Sequence, residues 1–547
     1  MLPSIPLNAV GQPLRLAIVG SGPSGFYAAS RVLSAFKNKQ QQEQHAADHD
    51  QSGLAAVHIY ERLPVPNGLV RWGVAPDHLD VKNVEHKFAD VARDPRFRFF
   101  GNVLVTAGDS TSENANSSDH AAHSQVSRSR QGYNYPEAVR LPLDDLAQYY
   151  THVLLSYGCS QSRLLGIPGS DPGDVTNVHS ALDFVNWYNG HPAAHDPDIL
   201  AHEPWRRVNL DGLRQMSVIG AGNVALDVAR IVLRASAVVQ GQDDALRRDL
   251  MTSDIPASVL QYLSQSRITD VDINARRGPA QAAFTNKELR EMMALPGVGF
   301  QGVEKSLIES AEKDVETEEE KQRVAAKEAA QSSAQDGSGE NAEALAASAG
   351  QARIRRRLLS LLEKGSKTKV SDAEKSWSLN FYRAPAAFVP ASQSAGSSSG
   401  DDRTASSPPL ERIRWTATSP ATTKPAASST SASHPSAVWG NEPTSSSTAQ
   451  GGVATVPTDS DKASPRVPDS TFETEADLVV SSVGYKGAPL DVAAAGATSS
   501  SAALTSVGSA KLHVPWDATK GIIPNRNGRV VNAEGQTVSR LHCRSKS

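Results

Sequence analysis

Two segments of the sequence share one local design, an apolar strand that enters a glycine-rich turn and continues into a helical pattern. In the first segment, residues 14–19 lead into Gly20, Gly22 and Gly25. The first glycine permits the tight turn, the second lets the backbone approach a pyrophosphate, and the third lets the helix and the strand pack closely. The helix N-terminus then offers free N–H groups and a positive dipole end to phosphates. This pattern predicts a dinucleotide-binding unit.

The next strand expected after this unit, residues 57–60, ends in Glu61. A carboxylate at that position holds the hydroxyl groups of a ribose. Glu61 follows Gly25 by more than the usual ~20 residues, and the polar insert at 36–53 accounts for the excess. Glu61 therefore favours a dinucleotide with a free ribose.

The second segment runs from residues 215–219 into Gly220 and Gly222, with Ala225 in place of the third glycine. The strand predicted to follow, residues 271–275, ends in arginines rather than in a carboxylate. It is again a strand, a turn and a helix, so we expect a second dinucleotide-binding unit.

Arg276 and Arg277 decide which dinucleotide the second unit prefers. Guanidinium groups suit a ribose 2′-phosphate through paired, charge-assisted hydrogen bonds. The second unit should therefore prefer NADP to NAD, with a solvated basic turn as the alternative. Two units with different chemistry imply FAD at the first and NADPH at the second, with hydride passing from nicotinamide to flavin.

The composition excludes several other classes of protein. The chain has 547 residues, with 55 Lys and Arg against 59 Asp and Glu, and this balance argues against nucleic acid as the main partner. No apolar run approaches the ~18 residues of a transmembrane segment. The two cysteines, Cys159 and Cys543, lie far apart, so they form neither a metal site nor a redox dithiol by themselves. Electron chemistry would therefore use a bound organic cofactor or a partner.

Four stretches have the composition of surface inserts, and between them short apolar runs alternate with amphipathic helices, as in an α/β architecture. The third insert is acidic and is expected to be a solvated, helical excursion. The fourth contains an alternating run, residues 410–415, that predicts an isolated strand. The four inserts are residues 36–53, 106–131, 309–350 and 391–468.

Several sequence blocks, taken in order along the chain, closely resemble those of one family. Residues 64–78 read PVPNGLVRWGVAPDH, residues 220–230 read GAGNVALDVAR, residues 276–284 read RRGPAQAAF, and residues 481–486 read SSVGYK. They resemble adrenodoxin reductase, the family of NADPH:adrenodoxin (ferredoxin) oxidoreductases of mitochondria and their bacterial relatives, and specifically a fungal-type mitochondrial member.

The resemblance implies an α/β fold with two Rossmann-like domains of the glutathione-reductase type, in which the NADP domain is inserted in the FAD domain. Residues 1–165 would form the first part of the FAD-binding domain, residues 166–475 the NADP-binding domain and residues 476–547 the second part of the FAD-binding domain.

The resemblance also assigns residues to roles. His78 and Asp227 would lie where flavin and nicotinamide meet, and we expect them to orient groups and to carry a proton network. The FAD contacts would include Ser24, Glu61, Leu69 and Val103, and the NADP contacts Ala221, Gly222, Asn223, Val224, Arg276, Arg277 and Glu288.

The electron acceptor follows from the absent dithiol and from the resemblance. A flavin accepts a hydride and releases electrons singly, so the acceptor would be a one-electron protein. In the family, arginines matching Arg290, Arg353 and Arg357 face an acidic [2Fe–2S] ferredoxin. The alternative for the cluster at 353–357 is a solvated helix face that balances the acidic run before it.

The C-terminus departs from the family pattern. Family members follow the strand at 538–543 with a Gly-Trp segment and a Gly-Pro-x-Gly helix start, whereas this sequence reads Arg544–Ser547 and stops. We therefore expect a truncated product that binds FAD poorly, or is unstable, unless the missing portion is supplied. The resemblance implies the matrix side of mitochondria and a peripheral association with the inner membrane, although residues 1–13 contain no basic presequence.

Two other functions stay open. One is a different two-dinucleotide reductase, such as a disulfide reductase or a glutamate synthase-type reductase subunit. The other is a catalytically inert protein that binds NADP through its intact inserted domain.

Overall fold

A computed structural model describes ten stretches of the chain, and these contain one mostly parallel and one entirely parallel six-stranded β-sheet with helices packed on them. The stretches are residues 13–43, 54–106, 138–239, 250–332, 340–391, 407–418, 471–487, 490, 529–531 and 537–543.

The strands follow one another in chain order. They are β1 (Leu14–Val19), β2 (Leu54–Tyr60), β3 (Phe97–Phe100), β4 (Val103–Thr106), β5 (Val139–Pro142), β6 (His152–Leu155), β7 (Gln161–Ser162), β8 (Val178–Ser180), β9 (Gln215–Ile219), β10 (Asp270–Asn274), β11 (Val298–Gln301), β12 (Lys375–Asn380), β13 (Arg383–Pro390), β14 (Leu410–Ala417), β15 (Thr471–Glu475), β16 (Leu478–Ser481), β17 (Tyr485–Lys486), β18 (Arg529–Val531) and β19 (Thr537–Cys543).

The α-helices are α1 (Pro23–Glu43), α2 (Leu69–Trp72), α3 (Leu79–Lys82), α4 (Val84–Ala92), α5 (Leu143–Gln148), α6 (Ala181–Tyr188), α7 (Pro192–His195), α8 (Pro197–His202), α9 (Asn223–Val239), α10 (Ala257–Ser264), α11 (Asn286–Met293), α12 (Lys305–Ser332) and α13 (Glu340–Lys364). Short 3₁₀ helices occur at Pro204–Arg206, Pro279–Gln281 and Val370–Asp372.

The first sheet has the order β18-β19-β6-β1-β2-β3. Its strands are parallel except that β18 pairs antiparallel with β19. The chain leaves β1 in one direction to form β2 and β3 and later returns on the other side as β6. The order of the strands thus reverses between β1 and β6, and ligands of open α/β sheets bind at such a reversal.

Alternation along β1 explains how this sheet is covered on both faces. Leu16 and Ile18 pack with Phe26 of α1 on one face, while Ala17 and Val19 pack with a cluster around α5 on the other. Successive side chains of a strand point to opposite faces, so a strand covered on both sides reads as a continuous apolar run.

The second sheet is entirely parallel, in the order β11-β12-β10-β9-β16-β8. Its strands come between β6 and β18 in the chain, so this domain is inserted in the first. The predicted fold class is therefore confirmed. The order of the strands reverses here between β9 and β16.

The sequence division at residue 475 is wrong in one respect. The strand β16, which that division assigns to the C-terminal part of the first domain, pairs with β9 and β8 in the second sheet. The chain returns toward the first domain only after Ser481, where β17 pairs antiparallel with β7.

The prediction of an isolated strand at residues 410–415 is also wrong. The strand β14 is the middle strand of an antiparallel sheet with β13 and β15. Its Ile413 and Trp415 are fully buried against Ile219 and Val479 of the second sheet. Because alternate residues of a middle strand face the core, this short segment of a Ser- and Pro-rich region belongs to the packed structure.

The acidic stretch at 309–350 differs from a solvated excursion at its base. The helices α12 and α13 lie side by side, and Ile308, Ala311 and Val315 of α12 are buried in the same core as Leu359 and Leu362 of α13. The charged residues lie on the outer side of α12. The start of α12 and the end of α13 are therefore part of the core of the second domain.

Among the described residues, none of the helices is both long enough and apolar enough to cross a membrane. In the same residues, no three His, Cys, Asp or Glu side chains are grouped as metal ligands. The C-terminal residues 544–547, on which the expectation of truncation rests, lie outside the described part of the chain.

Candidate functional site: two glycine loops and the contact between the domains

The first glycine loop has no room for a side chain at Gly20 or Gly25 but has room at Gly22. Gly20 has a φ of +104°, and a Cβ there would stand 2.5 Å from the Ser156 carbonyl oxygen that follows β6. A Cβ on Gly25 would stand 2.2 Å from the Gly20 oxygen, whereas a Cβ on Gly22 would meet no atom within 4 Å. The backbone of Gly22 therefore faces free space at the start of α1, with Ser24 in the first turn.

Glu61 lies beside this loop, directly after β2. Its Oε2 accepts hydrogen bonds from the Ser21 N–H at 2.9 Å and the Ser21 hydroxyl at 2.7 Å, and its Oε1 accepts one from Leu63 N at 3.2 Å. A carboxylate has about four lone-pair sites, so Glu61 keeps capacity for a further hydroxyl. The residue is 8% exposed and is held rigidly.

The Asn67–Gly68 turn, which lies in the first block of the resemblance, packs on the first loop. Asn67 has a φ of +87°, which asparagine tolerates better than an aromatic residue, and its N–H donates to the Ser21 oxygen at 3.1 Å. A Cβ on Gly68 would stand 2.9 Å from Gly22 Cα. Leu69 begins α2 directly after this contact. The N–H of Val103 donates to the backbone carbonyl oxygen of Glu61 at 2.8 Å.

The second glycine loop repeats this construction. Gly220 has a φ of +118°, and a Cβ there would stand 2.2 Å from the Ser482 oxygen that follows β16. A Cβ on Gly222 would meet no atom within 4 Å. Ala221 accepts a backbone hydrogen bond from Ala283 at 2.9 Å, and the Asn223 side chain accepts one from Thr285 N at 2.8 Å. Val224 follows in the first turn of α9.

Both loops lie where the strand order of their sheets reverses. The Gly20 N–H donates to the last residue of β2 and the Gly220 N–H to the last residue of β10, both at 2.8 Å. In each loop the open glycine faces space at a helix N-terminus, as an approaching phosphate requires. The geometry thus fits two dinucleotides.

The strand tips differ as the sequence predicts. The buried Glu61 follows β2, whereas Arg276 and Arg277 come just after β10 and are exposed. Neither guanidinium group has a hydrogen bond or an ion pair in the described part of the chain. Two unpaired guanidinium groups at a strand tip suit an anionic group.

Glu288 lies in the first turn of α11, which begins beside the second loop because the N–H of Thr285 donates to the Asn223 side chain. The Oε2 atom of Glu288 is buried with no hydrogen-bond partner among the described residues. A buried polar atom without a partner is costly, so it indicates a place for a polar ligand. The fit to a polar nucleotide is therefore supported on the side of the second domain as well.

The two domains meet through the segment around Asp77. Its carboxylate accepts two hydrogen bonds from Arg230 of α9, both at 2.9 Å, and one from Arg234 at 2.9 Å. The side chains of Asp77 and Arg230 are each only 2% exposed. Two further pairs join the domains at this segment, Asp80 with Lys287 and Lys82 with Asp254.

The predicted catalytic residues are brought together across this contact. His78 Nε2 lies 2.7 Å from Glu291 Oε2 of α11, and Glu291 lies 3.2 Å from Arg230 Nη1. The same Nη1 lies 2.8 Å from Asp227 Oδ1, an ion-pair contact without hydrogen-bond geometry. His78 and Asp227 are thus linked through Glu291 and Arg230.

The two buried carboxyl groups have opposite pKa shifts. Burial raises the pKa of Asp227, and the attraction of Arg230 offsets only part of this effect. Burial acts on Asp77 too, but the hydrogen bonds and charge of Arg230, with the charge of Arg234, hold its pKa below the usual value. Asp77 is therefore the fixed anion, and Asp227 is the group that holds a proton more readily.

The three predicted partner-binding arginines are exposed. Arg290 lies on α11, and Arg353 and Arg357 lie one turn apart on α13. The two helices are adjacent, since the Asn286 side chain donates to the Ile354 oxygen at 3.2 Å. Arg356 of the same cluster pairs with Glu319 of α12, so the acidic run neutralises part of this surface.

The sequence analysis missed Asp77, Arg230 and Glu291. Asp77 lies in the block at residues 64–78, Arg230 ends the block at 220–230, and Glu291 follows the block at 276–284 by a few residues. The charge of Asp77 and Arg230 in blocks that are otherwise mostly apolar or rich in glycine was an available signal, whereas Glu291 lies in a charged stretch that gave none. Their pairing across the two domains depends on tertiary structure, which residue spacing alone does not reveal.

Comparison with known proteins identifies the family. No protein-family model matches the chain. NADPH-ferredoxin reductase FprA of Mycobacterium tuberculosis is 38% identical over 309 residues, which are 56% of this chain and 52% of that protein. Mitochondrial NADPH:adrenodoxin oxidoreductase of Homo sapiens is 30% identical over 539 residues, 95% of this chain and 72% of the human protein. The chain belongs to the adrenodoxin reductase family.

A solved structure supports the same assignment. Mycobacterium tuberculosis FprA in complex with NADPH has a TM-score of 0.58 and 26% identity, over 98% of this chain and 79% of that chain. The chain spans about half the length of the mycobacterial proteins that it matches. Membership of the adrenodoxin reductase family, which the motifs predicted, is thus confirmed.

Proposed function

We propose that this chain is an NADPH-dependent flavoprotein reductase that passes electrons one at a time to a ferredoxin. The observation that carries the proposal is the pair of glycine loops, each built in the same way where the strand order of its sheet reverses. One has a buried carboxylate at the next strand tip, Glu61, and the other an exposed guanidinium pair, Arg276 and Arg277. The names of the relatives, an NADPH-ferredoxin reductase and NADPH:adrenodoxin oxidoreductases, support the same reaction.

On the first domain, the open backbone of Gly22 and the start of α1 would bind the pyrophosphate of FAD. The remaining acceptor capacity of Glu61 would bind its ribose, with Ser24, Leu69 and Val103 beside it. FAD, when bound, supplies the chemistry that accepts a hydride and releases electrons singly.

On the second domain, Gly222 and the first turn of α9 would bind the pyrophosphate of NADPH, and Arg276 and Arg277 its 2′-phosphate. The unpartnered Oε2 of Glu288 would accept a hydrogen bond from the nucleotide. The backbone atoms of Ala221, Asn223 and Val224 line this loop.

His78 and Asp227 would orient the reacting groups and hold protons at the contact between the domains. His78 is fixed by Glu291 at 2.7 Å, so its ring orientation is set before a nucleotide binds. Asp227 is the carboxyl group whose pKa is raised by burial, so it holds a proton more readily than Asp77 does. Hydride transfer itself needs no general base, so these residues act on position and on the proton balance.

The acceptor would be an acidic [2Fe–2S] ferredoxin that docks on Arg290, Arg353 and Arg357. Exposed arginines on adjacent helices create a positive surface that steers an acidic partner, and this steering weakens with salt. The mitochondrial names of several relatives support a mitochondrial location, for which we propose the matrix side and a peripheral association with the inner membrane.

The test combines binding and turnover on the full purified chain. FAD is added, excess is removed, and the absorption of bound flavin is recorded. NADPH oxidation is then followed with an adrenodoxin-type ferredoxin. The proposed function requires bound flavin, ferredoxin reduction from NADPH and a rate that falls as salt rises.

A double variant tests whether the two arginines bind the 2′-phosphate of NADPH. Arg276→Gln with Arg277→Gln should raise the KM for NADPH and leave that for NADH little changed, because only NADPH carries the 2′-phosphate. Equal losses for both coenzymes would refute the 2′-phosphate role. NADP binding without bound flavin would instead support the catalytically inert alternative.

A further inference from the structure

Tyr382 has a backbone conformation that bulky side chains rarely adopt. It lies between β12 and β13 with a φ of +58°. Side chains disfavour this region, and a residue stays there only when the surrounding structure fixes it. Such residues cluster at functional sites, so the contacts of Tyr382 indicate what the conformation achieves.

The phenol ring of Tyr382 lies against Gly278, the residue that follows Arg276 and Arg277. A Cβ on Gly278 would stand 2.1 Å from the Tyr382 hydroxyl oxygen and 2.6 Å from its Cζ. The tyrosine therefore occupies the space of a side chain at position 278 and fixes one end of the arginine turn.

Backbone hydrogen bonds fix the rest of that turn. The Thr418 N–H donates to the Tyr382 oxygen at 2.8 Å, and the Thr418 hydroxyl donates to the Arg276 oxygen at 2.7 Å. The Arg383 N–H donates to the Ala275 oxygen at 3.0 Å. The arginine turn is thus held from the side of β13 and from the end of β14.

The backbone of the arginine turn is fixed, whereas the two arginine side chains are exposed. The backbone on both sides of Arg276 and Arg277 is fixed, whereas both guanidinium groups are exposed and, within the described residues, make no hydrogen bond or ion pair. A fixed backbone lowers the entropy that is lost when a ligand orders a side chain. Recognition of a phosphate by a planar guanidinium group depends on its orientation.

We propose that Tyr382 and Thr418 are positioning residues that make the second domain selective for a nucleotide with a phosphate on its ribose. They act through Arg276 and Arg277, and the inference rests on the proposed function of those arginines. Neither Tyr382 nor Thr418 needs to touch the nucleotide.

The experiment measures binding of NADP⁺ and NAD⁺ to the full chain by calorimetry. Thr418→Val removes the hydroxyl at nearly constant volume, and Thr418→Ser is the matched control that keeps it. Ordering one side chain costs about 0.5–1.5 kcal/mol, or roughly a two- to tenfold change in affinity. We expect Thr418→Val and Tyr382→Ala to raise the Kd for NADP⁺ by about that factor, with the Kd for NAD⁺ within twofold and the serine variant near wild type.

A second set of variants tests the contact with Gly278. Gly278→Ala must displace the tyrosine ring, so we expect it to weaken NADP⁺ binding as Tyr382→Ala does. Tyr382→Gly leaves room for a Cβ at position 278 and relaxes the positive φ. In that background, adding Gly278→Ala should have little further effect, which a double-mutant cycle measures.

The outcomes distinguish the positioning role of Tyr382 and Thr418 from the proposed role of Arg276 and Arg277. If Arg276→Gln with Arg277→Gln abolishes the preference for NADP⁺ but Thr418→Val and Tyr382→Ala leave it intact, the inference is wrong and the proposed arginine role stands. If the variants weaken both nucleotides equally, a merely structural role replaces the inference. If the wild-type chain does not distinguish the nucleotides, both ideas fail.

Discussion

Removing Arg230 should destabilise the protein more than removing any exposed charge at the contact between the domains. Arg230 is only 2% exposed and is the shared cation of Asp77, Asp227 and Glu291, at 2.9, 2.8 and 3.2 Å. Breaking a buried ion pair by removing one partner costs about 3–5 kcal/mol, because a buried charge loses its counter-charge. We expect Arg230→Leu to reduce the free energy of unfolding by about that amount.

Asp77→Asn should cost less than Arg230→Leu. After this change Arg230 still has two carboxylates, Asp227 and Glu291, so no buried charge is left without compensation. The same asymmetry should appear in the pKa of Asp227. Loss of the Arg230 cation should raise this pKa further in Arg230→Leu, whereas Asp77→Asn keeps the cation and should not raise it.

The assay is urea denaturation of each variant, followed by circular dichroism, with Asp80→Asn as the control. The Asp80–Lys287 pair crosses the same contact at 2.9 Å, but its side chains are 69% and 47% exposed, so its loss should cost about 1 kcal/mol or less. If Arg230→Leu and Asp80→Asn shift the midpoint equally, or if Asp77→Asn costs more than Arg230→Leu, the reasoning from burial is refuted.

Three further outcomes follow from the same geometry. Gly22→Ala, whose Cβ meets no atom within 4 Å, should keep stability and lose flavin binding, whereas Gly25→Ala, 2.2 Å from the Gly20 oxygen, should lower both the thermal midpoint and flavin absorbance. Burial lowers the pKa of His179 from 6.5 to about 4, so between these pH values the unfolded chain binds a proton that the folded chain does not. This group alone should lower stability by on the order of 3 kcal/mol from pH 6.5 to pH 4. Burial also lowers the pKa of His191, to about 3, so His179→Leu should reduce the slope in urea titrations without removing it. Trp415→Ala should cost about 3–5 kcal/mol in the same assay, because the indole is fully buried.

Much of the fold was predictable because its strongest signals are local. A glycine turn between an apolar strand and a helix fixes the path of the backbone over about ten residues, and both such turns lie where the sequence analysis predicts them. The chemistry at each strand tip, Glu61 in one domain and Arg276 in the other, is equally local. These features depend on residues that are close in the chain.

The misassigned elements are those whose partners lie far away in the chain. The strand β16 resembles any short buried strand, and only its pairing with β9 and β8 assigns it to the second domain. The strand β14 lies between Ser- and Pro-rich stretches, yet Trp415 is buried against the second sheet. Composition describes the surroundings of such a strand, whereas its burial depends on the sheet that it joins.

The contact between the domains is graded in burial, and this gradation has a consequence for function. Asp77 and Arg230 are buried at one end of the contact, next to His78 and Asp227. Asp80 and Lys287 are exposed at its edge. Salt screens exposed pairs strongly and buried pairs weakly. Rising ionic strength should therefore weaken the Asp80–Lys287 pair first and leave the Asp77–Arg230 pair intact. A fall in turnover with salt that leaves NADP⁺ affinity unchanged would then arise at the proposed docking surface of Arg290, Arg353 and Arg357, and not at the proposed site around His78 and Asp227.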